Sequence, residues 1–347
     1  MRAVVLRGER DVAVEEVPDP ELTGPDGLVL RVERTAICGS DLHLYHGPMT
    51  VPGCRLGHEF VGTVEEVGAD VRTVRPGDRV LVSGVIGCGR CPACLAGDVV
   101  TCLNQGTKVF GTSLDLPGGQ AEAVAVPAAD ASVVAIPEGI TLDQAVLLTD
   151  ILPTGFLGAQ RADISPGDVV VVIGLGPVGV FALQCAQLYG PSRILAVDMV
   201  PERLARAAEL GAEPIDASQG GTIEQVLAAT GGRGAQAVIE AVGADQTIND
   251  ALFCAAPGGT VSVIGVSMNF ALPFPMPLAL FKRLTFRVTL AAIPATWQAL
   301  LPLVASGRLH PEDVFTHRMG LSQAAEAYDL FESRRDGVLK VLLDPTT

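Results

Sequence analysis

The period of the apolar positions changes near residue 150. Up to that point the chain is cut into short apolar, β-branched runs at 3–7, 27–35, 62–67, 79–82 and 120–127, separated by glycine and proline. Such punctuation predicts an all-β, partly open barrel. Pro76-Gly77-Asp78 is a turn signal, and Gly62 and Gly68 bracket one strand.

Beyond residue 150, apolar strands alternate with helical patterns: strand 168–173, helix 177–189, strand 193–197, helix 201–210, then strands 235–239 and 260–264. This is the pattern of a doubly wound parallel sheet, so the fold class is α/β. Helical periodicity returns at 296–306 and 323–335, and the chain closes on an apolar strand at 338–343. If that strand rejoins the barrel, the organisation is a catalytic domain over 1–152, a nucleotide-binding domain over 153–290, and a return to the first domain over 291–347.

Two long stretches nearly free of charge, 169–199 and 251–281, have the length of membrane spans. Gly174, Gly176, Pro177 and Gly179 interrupt the first; Pro257, Gly258, Gly259, Pro273, Pro275 and Pro277 interrupt the second. Neither makes a continuous lipid-facing helix, and both read as buried parallel strands with their turns. The 347 residues suffice for two domains with separate cores. A formal net charge of −15 argues against nucleic acid or an anionic membrane as partner. The first residues show no apolar core or cleavage pattern of a secretion signal. A cytoplasmic location is expected, where thiols stay reduced and cysteine clusters bind metal.

Cys88, Cys91, Cys94 and Cys102 form C-x2-C-x2-C-x7-C within a lobe over 84–104. The spacing reads as a tetrathiolate zinc knot, and four thiolates leave no open position, so this zinc is structural.

Gly174-Leu175-Gly176-Pro177-Val178-Gly179 places G-x-G-x-x-G directly after a strand and at the start of a helix. That context makes it a dinucleotide site. Gly174 makes the tight turn, Gly176 clears the approach of the pyrophosphate, Gly179 permits close packing, and Pro177 and Val178 open the anion-attracting helix. Asp198 ends the second strand, placed to accept the adenosine ribose hydroxyls and to repel a 2′-phosphate. NAD(H) is expected over NADP(H) by at least about tenfold, with Arg203 nearby to soften the preference.

Cys38-Gly39-Ser40-Asp41-Leu42-His43 and Gly57-His58-Glu59 lie too far apart for a local zinc finger. They suit a catalytic metal with ligands from separate segments and one open position. Together with the cysteine lobe, Thr154-Gly155 and the glycine motif with Asp198, they make the whole chain resemble the zinc-dependent medium-chain dehydrogenase/reductase (alcohol dehydrogenase) family. The threonine, polyol and formaldehyde dehydrogenase-like branches are nearest in appearance.

The resemblance implies a GroES-like catalytic domain joined to a Rossmann domain, and NAD-dependent interconversion of an alcohol with its aldehyde or ketone. It also implies two zinc ions per chain. Cys38, His58 and Asp150 match the catalytic ligands, with aspartate where the liver-type enzymes have cysteine. Glu59 matches a transient ligand, and Asp41 a carboxylate that orients His58. Cys38 and Asp150 offset the charge of the ion, and an alcohol at the open position would then ionise near neutral pH. Ser40 takes the alcohol proton and passes it through the nicotinamide ribose to His43, while Thr154 joins the cofactor-binding set. Lys340 aligns with a basic residue that reaches the cofactor phosphate, or is a strand lysine snorkelling to water.

Cys54, Cys185 and Cys254 fit no ligand spacing and read as packing residues; His46, His310 and His317 read as structural or solvated. Gly84 stands where liver-type enzymes place an aromatic wall, which implies a roomier pocket. Met49, Ile151, Leu152 and Trp297 are candidate apolar lining for an uncharged alcohol. The short segment after Cys102 resembles relatives that assemble as a homotetramer, with a homodimer as the alternative. Two other functions stay open: a cofactor-retaining formaldehyde or aldehyde dismutase, and a polyol- or threonine-type dehydrogenase. A non-catalytic cofactor binder is disfavoured by the presence of both cysteine-containing ligand sets.

Overall fold

The structure, a computed structural model, describes residues 1–47 and 50–347. The chain forms two compact units, Met1–Pro153 with Ala291–Thr347, and Thr154–Leu290.

In the first unit, Leu28–Ala36 pairs antiparallel with Glu59–Val67, which pairs with Arg79–Val82, which pairs with Val133–Ala135. Ala123–Val126 also joins Leu28–Ala36. Alternate residues Leu28, Leu30 and Val32 enter one core with Phe60, Val64 and Phe110, as the two-residue period of a strand requires. The pairing of the two longest strands slips between Val29 and Leu30 and again between Val32 and Arg34. Such bulges raise the local twist and curl a sheet toward a barrel. Gly62 lies inside the strand Glu59–Val67, not at its border as expected. A Cβ there would come within 1.9 Å of Arg31 O, so the glycine serves close strand approach.

The C-terminal segment completes this sheet. Lys340–Asp344 runs antiparallel to Leu28–Ala36 and parallel to Phe315–Gly320. Its apolar residues Val341 and Leu343 share a second core with Val4, Leu6, Ile37 and Tyr328.

The second unit is a six-stranded parallel sheet. Its order is Glu213–Asp216, Arg193–Asp198, Val169–Ile173, Ala235–Glu240, Ala255–Val263, Thr285–Val288. Val170, Val171, Val172 and Val238 are fully buried, the signature of strands covered on both faces. The first strand of the unit lies centrally, so the strand order reverses on either side of it, at the crevice where such sheets bind ligands. The edge strands Glu213–Asp216 and Thr285–Val288 escape the sequence pattern because each is only partly buried. Among the described residues no helix is long and apolar enough to cross a membrane.

Candidate active site

Strand pairing assembles the first site. Ala36 and Glu59 are cross-strand partners. Cys38 lies two residues beyond Ala36 and His58 one residue before Glu59, so the register alone sets them side by side. Asp150 joins them from the start of the helix Ile151–Arg161. Its Oδ2 lies 3.6 Å from Cys38 Sγ and 3.3 Å from His58 Nε2. Ser40 Oγ sits at the same focus, 3.2 Å from Cys38 Sγ and 3.1 Å from His58 Nε2. One ligand atom each from Cys38, His58, Glu59 and Asp150 falls within 4.8 Å of all the others.

The opposite edge of the imidazole faces Asp41, whose Oδ1 is 3.1 Å from Nδ1. Asp41 Oδ2 accepts the backbone N–H of Cys38 at 3.0 Å, tying this carboxylate to two members of the cluster. Lys340 is neither at a cofactor phosphate nor snorkelling, the two roles expected of it. It is fully buried, and its Nζ lies 2.6 Å from Glu59 Oε1.

The donor set fits a divalent cation. Cys38, Asp41, Glu59 and Asp150 are four acidic groups in a largely buried cluster, against one permanent cation, Lys340. Glu59 Oε2 is buried with no hydrogen-bond partner among the described residues. Burial raises the Cys38 thiol. Burial disfavours the His58 cation, but Asp41 and Cys38 outweigh it and raise the imidazole well above its ordinary range. Asp150 is lowered: burial opposes its charge, and the His58 contact overcomes that. A proton on His58 thus partly compensates an acidic excess that a bound cation would neutralise.

The four-cysteine lobe is closed by the short pair Val85–Ile86 and Lys108–Val109. All four sulfurs lie within 4.8 Å of one another. Cys91 caps the helix Pro92–Leu95, and its sulfur accepts from Cys94 N at 3.5 Å and Leu103 N at 3.4 Å. Those backbone donors lower the Cys91 thiol to about 6. Cys88 Sγ accepts from Asn104 Nδ2 at 3.1 Å, and Cys102 Sγ from Cys88 N at 3.3 Å. Donors aimed at sulfur favour thiolates, the form that ligates metal. Gly87 is required here, because a Cβ would approach Cys94 Sγ to 2.5 Å.

In the second unit, the three glycines of the turn stand in three different settings. Gly174 has φ +89, a left-handed turn. A Cβ on Gly179 would lie 1.8 Å from Gly174 O, so the helix Pro177–Gln187 needs glycine to pack. A Cβ on Gly176 meets no protein atom within 4 Å. Among the described residues nothing demands glycine there. Pro177 and Val178 start the helix, whose first-turn N–H groups lack intrahelical acceptors. Asp198 holds this turn: its Oδ2 accepts from Leu175 N at 2.7 Å, and its Oδ1 from Met199 N at 2.7 Å and Val200 N at 3.0 Å. A carboxylate has about four acceptor directions, so one remains for a ribose hydroxyl. Arg203 Nη1 stands 3.7 Å from Asp198 Oδ2. Thr154 is half-buried on the helix Ile151–Arg161, where Gly155 lets that helix close on Phe181 and Ala182.

The remaining expected residues surround this cluster or lie apart from it. His43 is exposed on the helix Asp41–Tyr45, and partial desolvation together with His46 lowers its pKa. Gly84 lies against backbone. A Cβ there would meet His58 O at 2.7 Å, so the close approach of that backbone favours glycine. Ile151, Leu152 and Trp297 are buried, and the indole N–H donates to Leu148 O at 2.9 Å. Met49 lies outside the described residues. Cys54, Cys185 and Cys254 are buried, and burial raises all three thiols. His46 pairs with Glu332 at 2.7 Å.

Residues 24–138 match the alcohol dehydrogenase GroES-like domain family, and residues 177–306 match the zinc-binding dehydrogenase family. A probable zinc-binding alcohol dehydrogenase of Mycobacterium tuberculosis is 50% identical over 99% of this chain and 89% of that protein. The solved alcohol dehydrogenase of Thermus sp. ATN1 is 43% identical, with a TM-score of 0.93 over 99% of both chains. A putative zinc-binding dehydrogenase of Sinorhizobium meliloti, solved bound to NADP, is 31% identical with a TM-score of 0.85, again over 99% of each chain.

Proposed function

We infer the details of the reaction from one premise: the chain belongs to the zinc-dependent medium-chain dehydrogenase/reductase family and is an alcohol dehydrogenase-type oxidoreductase. The proposed reaction is NAD(H)-linked interconversion of an uncharged alcohol and its carbonyl compound. The observation that carries it is the cluster of Cys38, His58 and Asp150 around Ser40 Oγ.

Cys38, His58 and Asp150 would hold the catalytic zinc, with Glu59 in reserve as a transient ligand. That ion supplies the Lewis acidity that lowers a hydroxyl pKa toward neutrality and polarises a carbonyl. A nicotinamide cofactor supplies hydride acceptance. Asp41 keeps the His58 ring turned so that Nε2 faces the cluster. Ser40 Oγ would accept the substrate proton while giving up its own hydroxyl proton, and exposed His43, whose lowered pKa favours the neutral ring, would take up the released proton and return it to water. The second zinc belongs to Cys88, Cys91, Cys94 and Cys102 and braces the lobe. Buried Ile151 and Leu152 directly follow Asp150, which favours uncharged substrates.

NAD(H) is the proposed cofactor because Asp198 presents negative charge at the end of the second strand, where a 2′-phosphate would face it. A homo-oligomer, with the homotetramer preferred, is supported by the unpaired edge strand Thr285–Val288. Around it Met276, Leu280, Phe281, Val288 and Leu290 are exposed, an apolar edge suited to a second copy. A cytoplasmic setting is supported by eight cysteines that are all free thiols.

Zinc quantitation combined with NAD reduction over primary, secondary, polyol and aromatic alcohols tests this reading. Wild type should carry two zinc ions. Cys38→Ala or Asp150→Ala should carry one and lose nearly all turnover while still binding NADH. Two zinc ions and normal turnover in either variant would reject the ligand assignment.

A further inference from the structure

Behind the Cys38–His58–Asp150 cluster, a chain of buried polar side chains crosses the first unit. Tyr328 Oη donates to Gln120 Oε1 at 2.9 Å. Gln120 Nε2 donates to Asp41 Oδ2 and to Ala36 O, both at 3.2 Å. Asp41 Oδ1 then lies 3.1 Å from His58 Nδ1, close enough for an ion pair although off the line of an ideal N–H···O bond. Tyr328 and Gln120 are 0% exposed, Asp41 1% and His58 4%.

The direction of this chain is dictated by chemistry. An ionised Asp41 only accepts, so Gln120 must turn its NH2 toward it. That leaves the Gln120 carbonyl facing Tyr328, whose phenol must donate. The phenol is not needed for packing. Tyr328 sits in an apolar core and its ring lies 5.3 Å from that of Tyr45, contacts that phenylalanine would keep. A hydroxyl and an amide buried at this depth carry a desolvation cost, which their hydrogen bonds to one another, to Asp41 and to Ala36 O offset. Tyr328 comes from the helix Ala324–Ser333, so the returning C-terminal segment reaches the Asp41 carboxylate both through Gln120 and directly.

We infer that Gln120 and Tyr328 are positioning residues for the catalytic metal: by fixing the Asp41 carboxylate they hold His58 with Nε2 aimed at the cluster, and so slow metal loss. This rests on the zinc reading of the cluster. Partners of ligating histidines typically change metal affinity 10- to 100-fold when removed. Gln120, one step further out, should fall near the lower end.

The test follows zinc release from the intact, zinc-loaded chain under a chelator, for wild type, Gln120→Met, Tyr328→Phe and the double variant. Cys38→Ala, which retains only the lobe zinc, identifies the structural phase. The same set is read in cobalt-substituted form, where the visible spectrum reports ligand geometry. Gln120→Met should release catalytic zinc about tenfold faster, and Tyr328→Phe several-fold faster, with the structural phase unchanged and the cobalt spectrum shifted. The double variant should exceed Gln120→Met by less than the two single effects combined, because both act through Asp41. Unchanged catalytic release in both single variants overturns the inference. Equal acceleration of both zinc phases, with lowered melting of the stripped protein, also overturns it, since that is a general structural effect. If Gln120→Met does not fold, Tyr328→Phe, which deletes one oxygen atom, decides alone. If wild type holds no zinc that Cys38→Ala removes, the metal reading itself fails.

Discussion

Lys340 Nζ and Glu59 Oε1 are 2.6 Å apart, with side chains 1% and 0% exposed. The last strand of the chain therefore sets a cation directly behind the residue that follows His58. Burial opposes the ammonium charge, but Glu59 and Cys38 outweigh it and raise the Lys340 pKa. Glu59 is thereby held by one oxygen, while its other oxygen has no partner among the described residues.

Lys340→Met removes the counter-charge of Glu59, whose pKa burial already raises, and leaves its carboxyl unpaired in the interior. Removing one member of a buried pair typically costs about 3–5 kcal/mol, whereas replacing both is near neutral. Chemical denaturation at pH 7 should show a loss of that order for Lys340→Met and recovery of most of it in Glu59→Gln/Lys340→Met. A single variant within about 1 kcal/mol of wild type would mean that the pair is not ionised.

This pair shows where sequence reading runs out. The cysteine lobe, the glycine turn and Asp198 are legible because their members are close along the chain and each spacing has one chemical explanation. Cys38 and Asp150 are 112 residues apart and meet only through tertiary packing, so resemblance was needed to join them. Lys340 in an apolar strand, Tyr328 in an amphipathic helix and Gln120 beside two glycines carry no local mark, since their partners come from the other end of the chain. Gly62 and Gly84 are misleading for the same reason: each is glycine because a distant backbone passes within 3 Å of where its Cβ would be.

The glycine turn separates ligand approach from packing. Gly176→Ala places a methyl in open space and should melt within about 2 °C of wild type, yet weaken NADH binding at least tenfold by fluorescence titration. Gly179→Ala drives a methyl into Gly174 O and should lower the melting temperature by several degrees or prevent folding. Unimpaired NADH binding in a folded Gly176→Ala would refute the assigned pyrophosphate approach.

Asp130 gives the first unit a defined acid sensitivity. Its carboxylate accepts from Arg72 N at 3.0 and 3.1 Å, Thr73 N at 3.0 Å and Thr73 Oγ1 at 2.7 Å. Burial works against the charge, but the Thr73 hydroxyl and the two backbone donors prevail and lower its pKa. A depressed native pKa contributes stability above the unfolded value, about 3.9, and loses it as pH falls through the folded value. Asp130→Asn should therefore melt below wild type at pH 6, and the gap should close below about pH 4. A gap constant from pH 6 to pH 3 would show that the charge contributes nothing.

Cofactor preference should turn on Asp198 and Arg203, 3.7 Å apart. Asp198→Asn keeps an oxygen for the Leu175 N–H and removes the charge opposite Arg203, but turns its NH2 toward the Met199 and Val200 N–H groups, so a melting curve must first show that the turn is kept. The kcat/KM ratio of NAD to NADP, expected to be at least about tenfold in wild type, should fall to near unity. It should fall through both a loss with NAD and a gain with NADP, because one change weakens a ribose contact and the other lifts repulsion of the 2′-phosphate. Adding Arg203→Ala should cancel the NADP gain and leave the NAD loss. If Asp198→Asn lowers both cofactors equally, Asp198 acts only by holding the Leu175 turn and the discrimination lies elsewhere.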